Sequence, residues 1–273
     1  VKILITGNSG YIGSHLTNFL NKEHEVFGLD LTDPTVPVIK HWLCDIRNTN
    51  YCPDQFDCVI HLAALVKVGE SLLIPSQYYS TNINGTAAVL SWIKTKNFIF
   101  ASTGTAQDCI NPYGISKRAA ETLVEEHCKN NNIPFTIFRF YNVIGSSMKR
   151  PTNPDGLFYN LIEAANTGKF YIYGMDYDTK DGTAIRDYLH VDEVCNSIKV
   201  ALDNPANKVE NLGHGQGHTV LEMIKTFKKV NEVDFQVHVL ERRKGDLESS
   251  VLRNPSKYMQ KIYNLEQMLK VYQ

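Results

Sequence analysis

VKILITGNSGYIGSHL, residues Val1 to Leu16, decides the fold. An apolar, β-branched run (Val1, Ile3, Leu4, Ile5, Thr6) is broken by Gly7, Gly10 and Gly13. Tyr11, Ile12, His15, Leu16 and Phe19 then recur at helical spacing, which predicts strand, tight turn, helix. Each glycine has its own task at such a junction. One permits the turn, one lets backbone N–H groups approach a pyrophosphate, and one lets helix pack closely on strand, with the helix N-terminus facing the anion. A second apolar run, Val26 to Leu29, ends at Asp30, near the spacing at which a carboxylate caps adenosine ribose hydroxyls. That carboxylate repels a 2′-phosphate, so NAD is expected over NADP. Any strand-to-helix junction favours glycine, and a strand end can carry a solvated aspartate. The two features together at this spacing favour the dinucleotide.

The chain has 273 residues, 43% hydrophobic and 21% charged, enough for one large core and a smaller satellite. A net charge of −1 without runs of like charge points away from nucleic-acid and membrane partners. No apolar run approaches about 18 residues and Val1 begins a core strand directly, so neither a membrane span nor a signal peptide is expected. Cys44, Cys52, Cys58, Cys109, Cys128 and Cys195 lack C-x-x-C spacing or a partnering His cluster. They are read as reduced thiols of a cytoplasmic protein, with no metal site.

Strand and helix patterns alternate through the first half, as in a doubly wound parallel sheet, the Rossmann-type α/β class. A run from Ile39 to Ile46 includes Asp45, and Cys58 to Ala64 is nearly unbroken apolar sequence, as a central parallel strand requires. His61, inside that run, is read as a satisfied core histidine. Pro75 to Lys94 is expected as one helix, followed by a strand from Phe98 that ends at Ser102 and Thr103. In an open parallel sheet the ligand lies beyond the strand carboxyl ends, where Thr103 sits. Tyr113 then opens a helix to about Asn130, with Lys117 one turn on. Residues four apart share a helix face, and a neighbouring cation favours phenolate, so the pair is expected to lower the tyrosine pKa toward that of a general base. Taken alone, such a pair is more often structural than catalytic. After a dinucleotide turn and a Ser-Thr strand end, catalysis is favoured.

The strand Phe135 to Phe140 leads to Tyr141, Asn142 and a Gly/Ser/Lys/Arg/Pro-rich loop, an exit from the nucleotide domain. The expected domains are 1–144 for NAD and 145–273 for substrate, a smaller mixed α/β region, with the chain returning to the first near 186–230. Beyond the exit the pattern predicts a helix from Gly156 to Thr167, a strand from Phe170 to Tyr173, and the IRDYLHV stretch (Ile185 to Val191). Then come a helix from Asp192 to Leu202, a strand from Val209 to Leu212, a helix from Leu221 to Val230, a strand from Phe235 to Leu240, and a helical C-terminus from Pro255.

GNSGYIGSH and YGISK, with HLAALVKVGESLLIPSQYYSTNINGT (His61 to Thr86), GMDYDTKDGTAIRDYLHVDEV (Gly174 to Val194), NLGHGQGHTVLEMI (Asn211 to Ile224) and RRKGDLESSVLRNPSK (Arg242 to Lys257), resemble in order the segments of extended short-chain dehydrogenase/reductases, and among them the UDP-glucose 4-epimerases. The resemblance spans essentially the whole chain, and DGT-x-x-RDY-x-HV is its most discriminating part. It implies NAD held by Gly7, Gly10, Tyr11, Ile12, Gly13, Asp30, Asp45, Ile46, Leu62, Ala63, Ala64 and Thr81, with Tyr113, Lys117 and Tyr141 around the nicotinamide. It implies a UDP-sugar site with Asn142, Tyr173, Arg186, Arg243, Asp246 and Ser250. Guanidinium forks suit a diphosphate and a carboxylate suits a ribose. The implied reaction is epimerisation: Tyr113, directly or through Thr103, removes the 4-hydroxyl proton while C4 is oxidised by NAD, the tethered 4-keto sugar turns over, and hydride returns to the other face. Family members usually dimerise through helices equivalent to Pro75–Lys94 and Tyr113–Asn130, which implies a homodimer.

Several positions depart from the family pattern. Between Thr103 and Tyr113 only GTAQDCINP remains of a longer loop that borders the sugar. Val66 stands where a lysine is usual, with Lys67 next to it, and Gly156 replaces an asparagine near the phosphates. Ser250 stands where a tyrosine narrows the sugar pocket, so UDP-GlcNAc and UDP-GalNAc join UDP-glucose and UDP-galactose as expected substrates. A 4,6-dehydratase needs an Asp-Glu pair after the threonine, and Gly104-Thr105 stands there instead. A UDP-glucuronate epimerase or decarboxylase, and a non-catalytic NAD-binding sensor or scaffold, stay open at this stage.

Overall fold

Apolar and β-branched runs build a seven-stranded sheet in which β1 (Lys2–Thr6) is an interior strand. A computed structural model describes residues 1–48, 55–146, 148–149, 151–243 and 246–271. The chain continues through α1 (Tyr11–Leu20), β2 (Glu25–Asp30), β3 (His41–Leu43), a two-residue β4 (Gln55–Phe56) and β5 (Cys58–His61). Next come α2 (Val68–Leu73), α3 (Pro75–Tyr78), a π-helical turn (Tyr79–Asn84), α4 (Gly85–Trp92) and a short β6 (Lys94–Thr95). β7 (Phe98–Thr103), a 3-10 turn (Gly104–Ala106), α5 (Pro112–Asn130) and β8 (Phe135–Phe140) complete this stretch. Strands run in the order β3-β2-β1-β5-β7-β8, and each of these pairings is parallel, the doubly wound arrangement. Strand order turns back between β1 and β5, where such sheets open a ligand crevice. Thr6 is in register with His61, so the turn after β1 and the segment after β5 leave the sheet side by side. Phe27, Leu29, Phe56, Val59, Phe98, Phe100 and Val124 fill one core beside the sheet.

The chain goes on through β9 (Asn142–Ile144), α6 (Leu157–Thr167), β10 (Lys169–Tyr173), β11 (Ile185–His190) and α7 (Val191–Asp203). It ends with β12 (Lys208–Leu212), β13 (Gly217–Thr219), α8 (Val220–Asn231), β14 (Gln236–Leu240), β15 (Ser249–Ser250) and α9 (Leu265–Leu269). Packing divides it into two units, Val1–Phe140 with Cys195–Asn211, and Tyr141–Val194 with Leu212–Gln273. The returning segment carries β12, the strand beside β8. In the second unit β9 and β15 lie parallel to β11, and β13 antiparallel. β10 and β14 form a separate parallel pair, and Phe158, Leu161, Phe170, Ile224, Phe227 and Leu269 form the core.

Three sequence expectations are corrected. The strand expected over Cys58–Ala64 stops at His61, while the run from Ile39 to Ile46 holds the short strand His41–Leu43. The single helix expected over Pro75–Lys94 is two α-segments joined by a π turn, preceded by α2. Ile74 separates α2 from α3 at φ −130 and ψ 55, as expected of a residue whose α conformation is opposed by the following proline. Among the described residues, the C-terminal segment from Pro255 is helical only over Leu265–Leu269. The N–H groups of Ile262 and Tyr263 donate to the buried Glu193 carboxylate at 2.7 and 3.0 Å, which takes them out of helical pairing. His61 is fully buried, with Thr6 Oγ1 2.6 Å from Nδ1 and Thr86 Oγ1 3.0 Å from Nε2, the satisfied core histidine expected.

Candidate active site

The glycine turn has the shape a dinucleotide requires. Gly7 adopts φ +77, and a Cβ there would stand 2.7 Å from the Ala63 nitrogen, so only glycine allows the two loops to meet. A Cβ on Gly13 would strike the Gly7 carbonyl oxygen. Around Gly10 only that same oxygen comes near, at 3.2 Å, which leaves its outer side open to an approaching group. Helix α1 starts at Tyr11 with no side-chain cap and no acidic residue in its first turn, an N-terminus suited to a phosphate. Asp30 closes β2, where its carboxylate accepts from the Ser9 N–H at 2.9 Å and the Leu31 N–H at 2.7 Å. The structure thus brings Gly7, Gly10, Gly13, Asp30, Leu62 and Ala63 together at the reversal in strand order. Their open backbone cradle and terminal carboxylate fit NAD.

Other cofactor candidates sit on neighbouring segments. Asp45 is paired with Arg47 at 2.6 Å, and Ile46 is buried against Gly85. Thr81 lies in the π-helical turn, an irregularity that often marks functional positions. Lys67, beside the position where a lysine is usual, has its ammonium 3.7 Å from Glu70.

Thr103 is the last residue of β7, and its side chain caps the 3-10 turn by accepting from the Thr105 N–H at 3.4 Å. The Asn111 side chain accepts from the Gly114 N–H at 2.8 Å and, with Pro112 in the first turn, starts α5 so that Tyr113 and Lys117 stand at its N-terminal end. Tyr113 is 9% exposed, hydrogen-bonded to Thr103 and packed edge-on against Tyr78 with ring centroids 6.4 Å apart. Lys117 is 3% exposed, its ammonium 4.1 Å over the Phe100 ring. The expectation of an acidified tyrosine is corrected here. Burial pushes the Tyr113 phenol up to about 12, only partly offset by the Thr103 hydrogen bond, and pulls Lys117 down to about 7 against the charge of Glu121. Spacing places the two groups on one helix face, and desolvation sets the direction of both shifts.

Three further residues organise this centre and went unrecognised in the sequence. Asn82, buried in the π turn, accepts from the Leu65 N–H at 2.8 Å and donates to the Ser116 hydroxyl at 2.9 Å. It therefore ties the segment after β5 to the helix carrying Tyr113 and Lys117. Gly114 leaves room for the 3-10 turn, since a Cβ there would lie 2.6 Å from the Thr105 carbonyl oxygen. Glu121, fully buried one turn after Lys117, accepts from Ser102, Arg118 and Arg139. An unusual polar residue within a helix is the signal available for Asn82. None marks Glu121, since a glutamate on an amphipathic helix ordinarily faces solvent.

The substrate candidates belong to the second unit. Register pairs Arg186 with Ser250 on β11 and β15, and Asp246 lies 3.9 Å from the Arg186 guanidinium. Asn142, on the neighbouring β9, donates to the Asp187 carbonyl at 2.9 Å. The Arg243 guanidinium stacks on Tyr173 at 3.8 Å, beside Arg242, which stacks on Tyr177 and pairs with Asp176. Tyr141 donates its N–H to Leu212 at the end of β12. Gly156 supplies no side-chain cap to α6. Cys44, Cys58, Cys109, Cys128 and Cys195 are free thiols, and Cys52 lies outside the described residues. Among the described residues no cluster could hold a metal ion, and no helix is long and apolar enough to cross a membrane.

The pattern of the NAD dependent epimerase/dehydratase family matches residues 3–213. The UDP-glucose 4-epimerase of Pasteurella multocida is 32% identical over 294 aligned residues, spanning 90% of this chain and 87% of that protein. The UDP-glucose-4-epimerase structure from Stenotrophomonas maltophila, with bound NAD and formylated UDP-arabinopyranose, is similar at 30% identity and a TM-score of 0.89, covering 98% of this chain and 95% of that one. The UDP-Glc/GlcNAc 4-epimerase structure from Campylobacter jejuni is similar at 32% identity and a TM-score of 0.79, covering 98% and 96%.

Proposed function

Since the chain belongs to the NAD dependent epimerase/dehydratase family, we infer that it interconverts a UDP-hexose and its C4 epimer with NAD as a retained cofactor. One observation carries this reading. Similarity to curated 4-epimerases runs over 90% of the chain, and Thr103, Tyr113 and Lys117 are held together at the strand and helix ends.

Bound NAD supplies reversible two-electron oxidation at the sugar C4 carbon. The protein supplies the proton transfer. Tyr113 takes the 4-hydroxyl proton, directly or through the Thr103 hydroxyl that it already engages. A phenol held near 12 needs added positive charge to ionise at neutral pH, and Lys117, near 7 itself, is poised to bring it. Gly7, Gly10, Tyr11 and Ile12 receive the pyrophosphate on the turn and a helix N-terminus, Gly13 packs the helix close against the turn, and Asp30 receives the adenosine ribose. Asp45, Ile46, Leu62, Ala63, Ala64, Thr81 and Tyr141 complete the cofactor residues in this reading. Asn142, Tyr173, Arg186, Arg243 and Asp246 take the UDP, where two guanidinium groups match the diphosphate and a carboxylate matches the ribose.

Ser250 supports a wider substrate range. A small side chain there admits an N-acetyl group, which extends the substrates to UDP-GlcNAc and UDP-GalNAc. The partner in this reading is a second copy of the chain, and the free thiols support a reducing, cytoplasmic setting.

Proton NMR of the purified protein with UDP-glucose or UDP-GlcNAc, without added NAD, tests the proposal through the anomeric signal of the C4 epimer. Conversion is expected, with Tyr113→Phe reduced at least ~100-fold. Failure with both substrates, even after NAD is supplied, would remove the epimerase reading.

A further inference from the structure

Glu121 holds a buried carboxylate that accepts four side-chain hydrogen bonds. Its Oε1 accepts from the Ser102 hydroxyl at 2.5 Å and from Arg139 Nε at 2.8 Å. Its Oε2 accepts from the second Arg139 nitrogen at 2.6 Å and from Arg118 at 2.9 Å. Arg139 therefore grips it side-on through two parallel bonds, the arrangement that fixes both partners most firmly. The four bonds connect three elements. Arg118 is on α5 itself, Ser102 is the penultimate residue of β7, just before Thr103, and Arg139 lies near the end of β8.

A staple of the fold alone could sit anywhere along α5. This one lies one helical turn beyond Lys117 and two beyond Tyr113, and it grips the residue preceding Thr103. Of the two carboxylates near Arg139, Glu121 is fully buried, whereas Glu125 is half-buried. The other titratable neighbours are His61 on β5, which burial keeps neutral beside Lys117, and Cys109 near Arg139.

We propose that Glu121 is a positioning residue of the reaction centre, clamping α5 to the ends of β7 and β8 so that Lys117 and Thr103 keep the geometry that proton transfer through Tyr113 needs. This rests on the epimerase reading for its kinetic consequence, but not for its effect on Lys117. The carboxylate is the negative charge that opposes the loss of the Lys117 proton. Removing its charge leaves Arg118, Arg139 and Lys117 without that counter-charge.

The test uses the full chain in its nucleotide-bound form, with 15N-labelled lysine. The Lys117 Nζ signal, assigned by its loss in Lys117→Arg, is followed against pH in wild type, Glu121→Gln and Ser102→Ala. Glu121→Gln is expected to lower the Lys117 midpoint by about one pH unit. It should cut kcat at least ~10-fold with KM changed less than ~2-fold, as expected when an interaction serving the reaction step is lost. Ser102→Ala, which removes one bond and no charge, should lower kcat without moving the Lys117 midpoint. A folded Glu121→Gln with unchanged midpoint and kcat overturns the proposal. If Glu121→Gln does not fold, an unchanged kcat in Ser102→Ala overturns it. If wild type epimerises nothing, the midpoint shift still decides the Lys117 part, and the epimerase reading fails separately.

Discussion

Lys117 shows how a reaction centre strains against its own fold. Its ammonium is packed on Phe100 in a site that pulls its pKa from 10.5 to about 7. Between those values the unfolded chain binds the proton and the folded chain does not. The stability cost is therefore full below pH 7 and fades as pH rises toward 10.5. Lys117→Met, in protein freed of nucleotide, is expected to exceed wild type in stability at pH 6, with the difference shrinking by about pH 9, while epimerisation falls at least ~100-fold. Urea unfolding at both pH values checks the sign, and a difference independent of pH would refute the burial cost. Tyr113 and Lys117 were legible in the sequence because their relation is local, one turn of one helix. Asn82 and Glu121 were not, because their partners are remote in sequence: Leu65 and Ser116 for the first, Ser102 and Arg139 for the second. The direction of the tyrosine shift was hidden for the same reason, since burial is set by residues from several strands.

At the level of elements, the shortened connection between β7 and α5 is held by contact between its two ends. The 3-10 turn lies so close to α5 that a Cβ on Gly114 would stand 2.6 Å from the Thr105 carbonyl oxygen. Gly114→Ala must push the turn or the helix aside. Overpacking of that kind is expected to cost about 1–3 kcal/mol, and because the turn begins beside Thr103, kcat should fall with it. Urea denaturation and initial rates check both, and wild-type values in the two assays would mean that the connection yields without consequence. The strands and helices of the central sheet were readable because apolar period and glycine breaks agree there. α2, the π turn and the irregular C-terminal segment were not. The C-terminal segment depends on a competing partner, the Glu193 carboxylate, which takes two backbone N–H groups from it.

For the whole molecule, apolar side chains left in water suggest where a second copy docks. Ile115 on α5 is 41% exposed, and Leu72 and Leu73 on α2 are 53% and 82% exposed. The second copy proposed above, docked over these exposed positions, should bring the mass in light scattering to twice the 30.9 kDa of the chain, and Ile115→Glu with Leu73→Glu should return it to the monomer. A monomeric wild type would remove that proposal. The two units were only partly readable, because their boundary is crossed more than once: the first takes Cys195–Asn211 back after the second has begun. This return has a consequence for biosynthesis. When β8 leaves the ribosome, its neighbour β12 has not been made, and about 70 residues must still be translated, a delay of several seconds at roughly 5–20 residues per second. Throughout that interval Phe135–Phe140, an aromatic-rich strand, has an unpaired edge open to other nascent chains. The growing polypeptide is thus most exposed to misassociation midway through its synthesis, at the moment when its nucleotide fold looks almost finished.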